Sequence, residues 1–395
     1  MPSEFNESLL AELQAGLHEL ESRSQRRTLV EITGVNLCSN DYLGLADSLA
    51  LKQKVIDAVV KAARTGGTGS RLLSGHAAVW TELEEEFAAF AGSKAALYFG
   101  SGYAANIGLL TSLANKNDMI FSDALNHASI IDGTRLSGAQ KIIYRHRDLN
   151  HLETSLKENR SKPGRKLIVT ETVFSMDGEV APVEAIVALA EKYGAGVIVD
   201  EAHATAVHGP GGRGIASQFL EDGRALAAMH TCGKALASAG GFVCGSALLC
   251  EHLINHARTF IFSTAMPTYM AEQIRAALHL AAEMNTERAE LKLRSQDFSK
   301  SLQQDGWDSL GSTTQIVPAV IGANDAALAA AEFLQRAGFA VRAIRPPTVP
   351  PGAARLRFSV THKINAAELE KLAAALSMWR AQWHHAIPLA LAGSA

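Results

Sequence analysis

The chain has 395 residues, 47% of them hydrophobic and 19% charged, with a formal net charge of −3. A length beyond the roughly 250–300 residues at which single cores stop growing predicts one large and one smaller domain around a sizeable core. A near-neutral balance and a sequence pI near 6.5 give no electrostatic reason for nucleic-acid or membrane binding. No run of about 18 apolar residues suggests a spanning helix. Four scattered cysteines, Cys38, Cys232, Cys244 and Cys250, lack CxxC spacing and point to a reduced, cytoplasmic protein without a structural metal.

The first twenty residues carry acids and read as an amphipathic helix, neither a signal nor a transit peptide. Six short apolar runs then follow: Leu97–Phe99, Met119–Phe121, Ile142–Tyr144, Leu167–Val169, Val197–Val199 and Ala227–Met229. They read as buried strands. The helix before Val197 is well punctuated, with Pro182 near its start and Gly194 at its end. Strands separated by such helices predict an α/β fold with a mainly parallel sheet covered on both faces. In that architecture ligands bind beyond the C-terminal strand ends. After Pro267 one long helix is expected to about Gln304, then strands at Ile316-Val317, Phe339–Ile344 and Leu356–Val360. Between the first two of these a helix near Ala326–Ala337 is closed by Gly338, and after the last Asn365 caps a final helix. This predicts a smaller α+β domain at residues 267–395, a large domain at 46–266 and an N-terminal segment at 1–45 packed with the small domain. The tail after about His384 reads as loosely ordered.

Six groups of residues carry chemistry. Gly100-Ser101-Gly102-Tyr103 follows a strand and opens a helix, which suits a bound phosphate as well as a tight turn. His127 lies beyond the Phe121 strand and could stack on a planar ring; Ser175 lies beyond Val169. Asp200 closes the Val197–Val199 run within Asp200-Glu201-Ala202-His203. Those letters also mark nucleotide-hydrolysing helicases, but the required GxxxxGK[ST] loop is missing, since Gly233-Lys234 is followed by Ala235. Lys234, in Thr231-Cys232-Gly233-Lys234, sits among small and apolar residues, where burial lowers a lysine toward the range of a nucleophile and base. An Asp at one strand end and a Gly-flanked Lys at the next is the pair that pyridoxal phosphate (PLP) chemistry needs. The amine condenses with the cofactor aldehyde, and the carboxylate keeps a proton on the pyridine nitrogen. Thr231 can place its hydroxyl on the phosphate. Arg355-Leu356-Arg357 lies on a strand, with one Arg expected to face a pocket, where it can clamp a carboxylate, and the other to face solvent. The Arg345–Pro350 loop reads as the stiff lining of an acyl channel.

Assembled, these residues resemble the α-oxoamine synthase family of fold-type I PLP enzymes from about Cys38 to Leu376. The carriers are Ser39–Leu45, Gly69–Gly75, Thr170–Gly178, Asp200–His203, Thr231–Lys234, and Arg345–Val349 with Arg355–Arg357. The resemblance implies that Lys234 carries the cofactor, Asp200 pairs with the pyridine nitrogen and His127 stacks on the ring. Ser175 and His203 then hydrogen-bond near the ring, and Thr231 holds the phosphate with the Gly102 and Tyr103 backbone. It further implies a homodimer in which Ser263 and Thr264 reach the partner's phosphate. Arg357 then binds the amino-acid carboxylate, Thr348 contacts the acyl substrate, and Arg23 meets the acyl chain's far end, with Arg26 and Arg27 as alternatives. The Pro346-Pro347-Thr348-Val349-Pro350 loop points to the branch that joins L-alanine to a pimeloyl thioester in biotin synthesis. Rivals are a ligase using glycine and acetyl-CoA, an aminotransferase, and a non-catalytic partner subunit; Lys234 argues against the last.

Overall fold

The computed structural model describes residues 4–386. Its strands in chain order are β1 (Val35–Asn36), β2 (Ala95–Phe99), β3 (Met119–Asp123), β4 (Gln140–Tyr144), β5 (Lys166–Glu171), β6 (Gly196–Asp200), β7 (Ala227–Thr231), β8 (Gly241–Gly245), β9 (Ile316–Gly322), β10 (Phe339–Ala340), β11 (Ala343–Ile344) and β12 (Ala354–Ser359). β2 to β8 form one sheet in the order β2-β8-β7-β6-β5-β3-β4. β8 alone runs against its neighbours β2 and β7. The sequence reading missed β8, because glycines at both ends leave only Phe242, Val243 and Cys244 as an apolar signal.

Alternation along the strands explains the two-sided core. Ile168, Val197 and Val199 pack on one face with Phe121 and Phe242, while Leu167, Val169 and Ile198 pack on the other with Ile120 and Met229. β4 is the exception to the expected buried strands: it is the sheet edge, and Ile143 is 44% exposed.

Beyond Pro267 the expected single helix is two, Thr268–Glu283 and Asn285–Gln304, broken at Met284. Arg288 seals the break by donating to the Ala281 carbonyl at 2.5 Å and to Asn285 Oδ1 at 2.6 Å. The expected strand over Phe339–Ile344 also divides. β10 pairs with β1, and β11 pairs with β12, the centre of a three-stranded antiparallel sheet. Asn365 caps the last helix, Ala366–Ala386, through Oδ1 to the Glu368 amide at 3.0 Å, while Glu368 reaches back to the Asn365 amide at 2.9 Å. The tail read as loosely ordered after His384 lies largely outside the described residues.

The N-terminal helix is Glu4–Ser22, and its apolar residues, among them Phe5, Leu10 and Leu13, stay exposed. Just after it, Asn324 and Arg345 donate to the Arg23 and Ser24 carbonyls.

Candidate active site

The cofactor and catalytic candidates gather at the C-terminal ends of β3, β5, β6 and β7. Asp200 is the last residue of β6, and each of its carboxylate oxygens accepts from a nitrogen donor. The Asn106 amide reaches Oδ2 at 2.7 Å and the Ala202 backbone reaches Oδ1 at 2.8 Å. His127 caps the Ala128–Ser137 helix, its Nδ1 facing the Ser129 amide at 3.2 Å. Burial lowers its pKa, with Lys234 adding to that and Asp200 opposing it. The Tyr103 ring meets His127 edge-on, with centroids 6.2 Å apart.

Lys234 lies on the loop after β7 and is half-buried. Burial lowers its ammonium to about 8 against the opposing pull of Asp200 and Glu171. Its Nζ is 2.8 Å from His203 Nε2, and His203 Nδ1 is 2.7 Å from the Tyr42 hydroxyl. Tyr42 continues to Asn40 Oδ1 at 3.0 Å, and Arg357 Nη2 donates to the same oxygen at 3.2 Å. One hydrogen-bonded chain therefore runs from the reactive amine to the arginine. Burial and the neighbouring cations Lys234 and Arg357 hold His203 well below its ordinary pKa. It is neutral, accepts from Lys234 on Nε2 and donates from Nδ1–H to Tyr42.

Both β12 arginines are buried, which corrects the expectation that one faces solvent. Residues two apart on a strand share a face. They differ in partners instead. Arg355 forms an ion pair with Asp177. Arg357 donates to the Ser175 carbonyl at 2.6 Å, to Ser359 Oγ at 2.6 Å and to Asn40, all neutral acceptors, so its charge stays available. Among the described residues no carboxylate forms an ion pair with it.

The remaining candidates sit as follows. Ser101 caps the Gly102–Leu113 helix through the Ala104 amide, leaving the Gly102 and Tyr103 amides at its positive end. A side chain at Gly102 would lie tight against Met229 Sδ at 3.3 Å and in contact with Thr231 Cβ at 3.5 Å, so this helix end sits close to Thr231. The Thr231 hydroxyl donates to the Gly240 carbonyl at 3.2 Å. Ser175 is buried beyond β5, its amide donating to Glu171 at 3.1 Å. Ser263 and Thr264 lie on the surface beside Gly100 and Arg71. Thr348 is exposed, its amide bonded to the Arg345 carbonyl at 3.1 Å. Arg23 pairs with Glu19 at 2.6 Å, and Arg26 with Glu21 at 3.0 Å.

Sequence reasoning assigned no role to Tyr42, Asn40, Asn106 or Glu171. Asn40 and Tyr42 stood inside the quoted Ser39–Leu45 motif and Glu171 inside Thr170–Gly178, so polar residues beside buried leucines and at a strand end were the available signal. The set fits PLP: an amine lowered toward neutrality, a carboxylate at an adjoining strand end, an imidazole between them and a helix N-terminus for a phosphate.

Known proteins agree. The family described as aminotransferase class I and II matches residues 32–376. A curated 8-amino-7-oxononanoate synthase from Geobacter sulfurreducens is 47% identical over 345 residues, covering 87% of this chain and 88% of its own. Among solved structures, serine palmitoyltransferase from S. paucimobilis with bound PLP-myriocin is 26% identical with a TM-score of 0.88, over 96% of this chain and 99% of that one. An 8-amino-7-oxononanoate synthase from Francisella tularensis is 27% identical with a TM-score of 0.76, over 89% of this chain and 99% of its own.

Proposed function

The chain belongs to the class I and II aminotransferase family, among its PLP-dependent acyltransferases of the 8-amino-7-oxononanoate synthase kind, and from that premise we propose that it joins L-alanine to a pimeloyl thioester. The products are 8-amino-7-oxononanoate, CO2 and the free thiol of CoA or acyl carrier protein. The observation that carries this reading is Arg357, a buried cation held only by neutral oxygens and linked through Asn40, Tyr42 and His203 to Lys234. An α-amino acid presents a carboxylate to the first group and an amine to the second.

PLP, when bound, supplies an aldehyde for amines and a ring that takes up an electron pair from the substrate's α-carbon. Asp200, Ser175, His203, Thr231 and the Gly102 and Tyr103 amides would hold it, with His127 against the ring. Lys234, lowered to about 8, is far more readily deprotonated than an ordinary lysine and serves as the base at the α-carbon. His203 accepts from it and fixes its position. Asp200, which accepts one N–H on each oxygen, keeps further lone pairs with which it would accept the N–H of a protonated pyridine ring. Arg357 fixes the carboxylate so that one face of the α-carbon meets Lys234. Thr348 and the Arg23–Arg27 segment receive the acyl donor.

A homodimer with shared sites belongs to the same reading, with Ser263 and Thr264 completing the phosphate site of the partner subunit. Phe262 at 71% exposure and Leu73 at 84% flank that surface and support a covered apolar contact. Four free cysteines, with no helix among the described residues long and apolar enough to cross a membrane, support a cytoplasmic setting. The test mixes protein, PLP and either L-alanine or glycine with pimeloyl-CoA or acetyl-CoA and follows thiol release. Alanine with pimeloyl-CoA is expected to be fastest; glycine with acetyl-CoA as the better pair overturns the substrate reading.

A further inference from the structure

Glu171 is a buried acid at the strand ends to which the reaction gives no task. It closes β5 in register with Asp200 at the end of β6, so two carboxyls stand side by side on one face of the sheet. Their hydrogen bonds differ. Asp200 receives an N–H on each oxygen. Glu171 receives the Ser175 amide on Oε2 at 3.1 Å, while its Oε1 is sealed from solvent without a hydrogen-bond partner among the described residues. A bare oxygen on a buried anion costs far more than an unpaired hydroxyl on a neutral acid. The groups that face Glu171 are Asp200 from β6, Lys234 from the loop after β7, and the Ser175 and His127 backbones. Burial first, then Asp200, pushes Glu171 up to about 8, against Lys234 and the Ser175 and His127 backbone N–H groups, which favour the anion.

We propose that Glu171 is a positioning residue that works as a neutral acid: one oxygen anchors the Ser175 peptide, the other keeps the proton, and Asp200 is left as the sole anion facing the pyridine nitrogen. The same peptide presents its carbonyl to Arg357 at 2.6 Å. Glu171 thus ties the acid pair to the carboxylate-binding arginine without adding a second negative charge between them.

Glu171→Gln keeps the shape and is permanently neutral. The apoprotein of each form is titrated with PLP alone, so the result is independent of which amino acid and thioester are the substrates. The expected PLP affinity of the Gln variant at neutral pH is within about threefold of wild type. The infrared difference spectrum of wild type minus variant at neutral pH should show a protonated-carboxyl C=O stretch. That band should fade as pH rises through about 8. A PLP affinity weakened by about tenfold or more in a folded Gln variant overturns the proposal, because it means the site needs the anion. So does the absence of the band. Should Glu171→Gln not fold, the wild-type pH titration of the band decides alone.

Discussion

The strand ends of the large sheet and the segment where the N-terminus meets the Arg345–Pro350 loop both carry groups proposed to meet substrate, and they are built differently. Beyond the strand ends, Lys234 and His203 join Tyr42 and Asn40 of the N-terminal segment and Arg357 of β12 in one chain of hydrogen bonds. In the second region Arg23 and Arg26 pair with Glu19 and Glu21 of the preceding helix, with both partners open to solvent. Its ties to the body there are the Arg23 and Ser24 carbonyls. Exposed ion pairs are worth roughly 0–1 kcal/mol, whereas breaking a buried hydrogen-bonded charge costs several times more. Bond-making chemistry is therefore preorganised by the sheet, while the choice of acyl donor rests on a loosely anchored strap. The first should fail sharply under substitution and the second by degrees.

The largest effect should come from Lys234→Ala. Losing a positioned base alone costs about 10²–10⁴-fold, and the cofactor anchor goes with it. Turnover near wild type in the folded variant would break the comparison at its strongest point. Asp200→Asn comes next. It leaves the Asn106 amide in place but removes the charge, at a cost on the order of 2–5 kcal/mol in kcat/KM. Steady-state rates with PLP in excess check this, and a loss under about tenfold would mean that the strand-end pair is not the electrostatic centre.

The same contrast explains what the sequence could reveal. Lys234 and Asp200 each sit in a local string, an apolar run ended by a polar residue, and such strings survive translation into strand ends. So did the parallel sheet. Tyr42 and His203 lie 161 positions apart, and no local pattern announces that they touch. Glu171 stood within a quoted motif, but its significance depends on register with β6. The two arginines show a further limit: expecting one of them to face solvent overlooks that residues two apart on a strand share a face, and only the fold shows that Asp177 neutralises Arg355 and spares Arg357. The break at Met284 depends on Arg288 folding back onto the carbonyls, which a continuous helical pattern conceals.

Arg357→Lys tests that division. A lysine cannot reproduce the fork on Ser175, Ser359 and Asn40, and the lost charge-assisted contact is worth about 1.5–3 kcal/mol, roughly ten- to a hundredfold in the amino-acid KM. The KM for the acyl donor should hardly move. pH sharpens the comparison further. Lys234 is lowered to about 8, first by burial and also by Arg357. A base acts deprotonated, so the rate should rise with pH through that region. Arg357→Met should move the rising limb to higher pH; an unmoved limb would place the titrating group elsewhere. Tyr42→Phe cuts the chain between His203 and Asn40 and should cost about 0.5–1.5 kcal/mol in kcat/KM, with the fold intact by thermal melting.

The smallest effect, and the one that bears most on specificity, belongs to the strap. Arg23 is the cation proposed to meet the far carboxylate of a pimeloyl chain, but it is already paired with Glu19. Arg27 makes no ion pair among the described residues, and it lies close enough to Arg345 to lower that residue's pKa, behind the larger effect of burial. Two like charges near one another are relieved by an incoming carboxylate, so Arg27 is the stronger competitor for the contact. Arg27→Gln should raise the KM for pimeloyl thioester by about tenfold or less, the worth of one partly exposed charge contact of about 1 kcal/mol. The KM for L-alanine and the slow turnover of acetyl-CoA should stay the same, because a two-carbon acyl group never reaches this cation. Arg23→Gln is the paired measurement. If it raises the pimeloyl KM while Arg27→Gln does not, the Glu19 pair opens on binding and Arg23 is the contact. If both leave that KM unchanged, the strap takes no part in choosing the acyl donor, and the two regions differ in order but not in function.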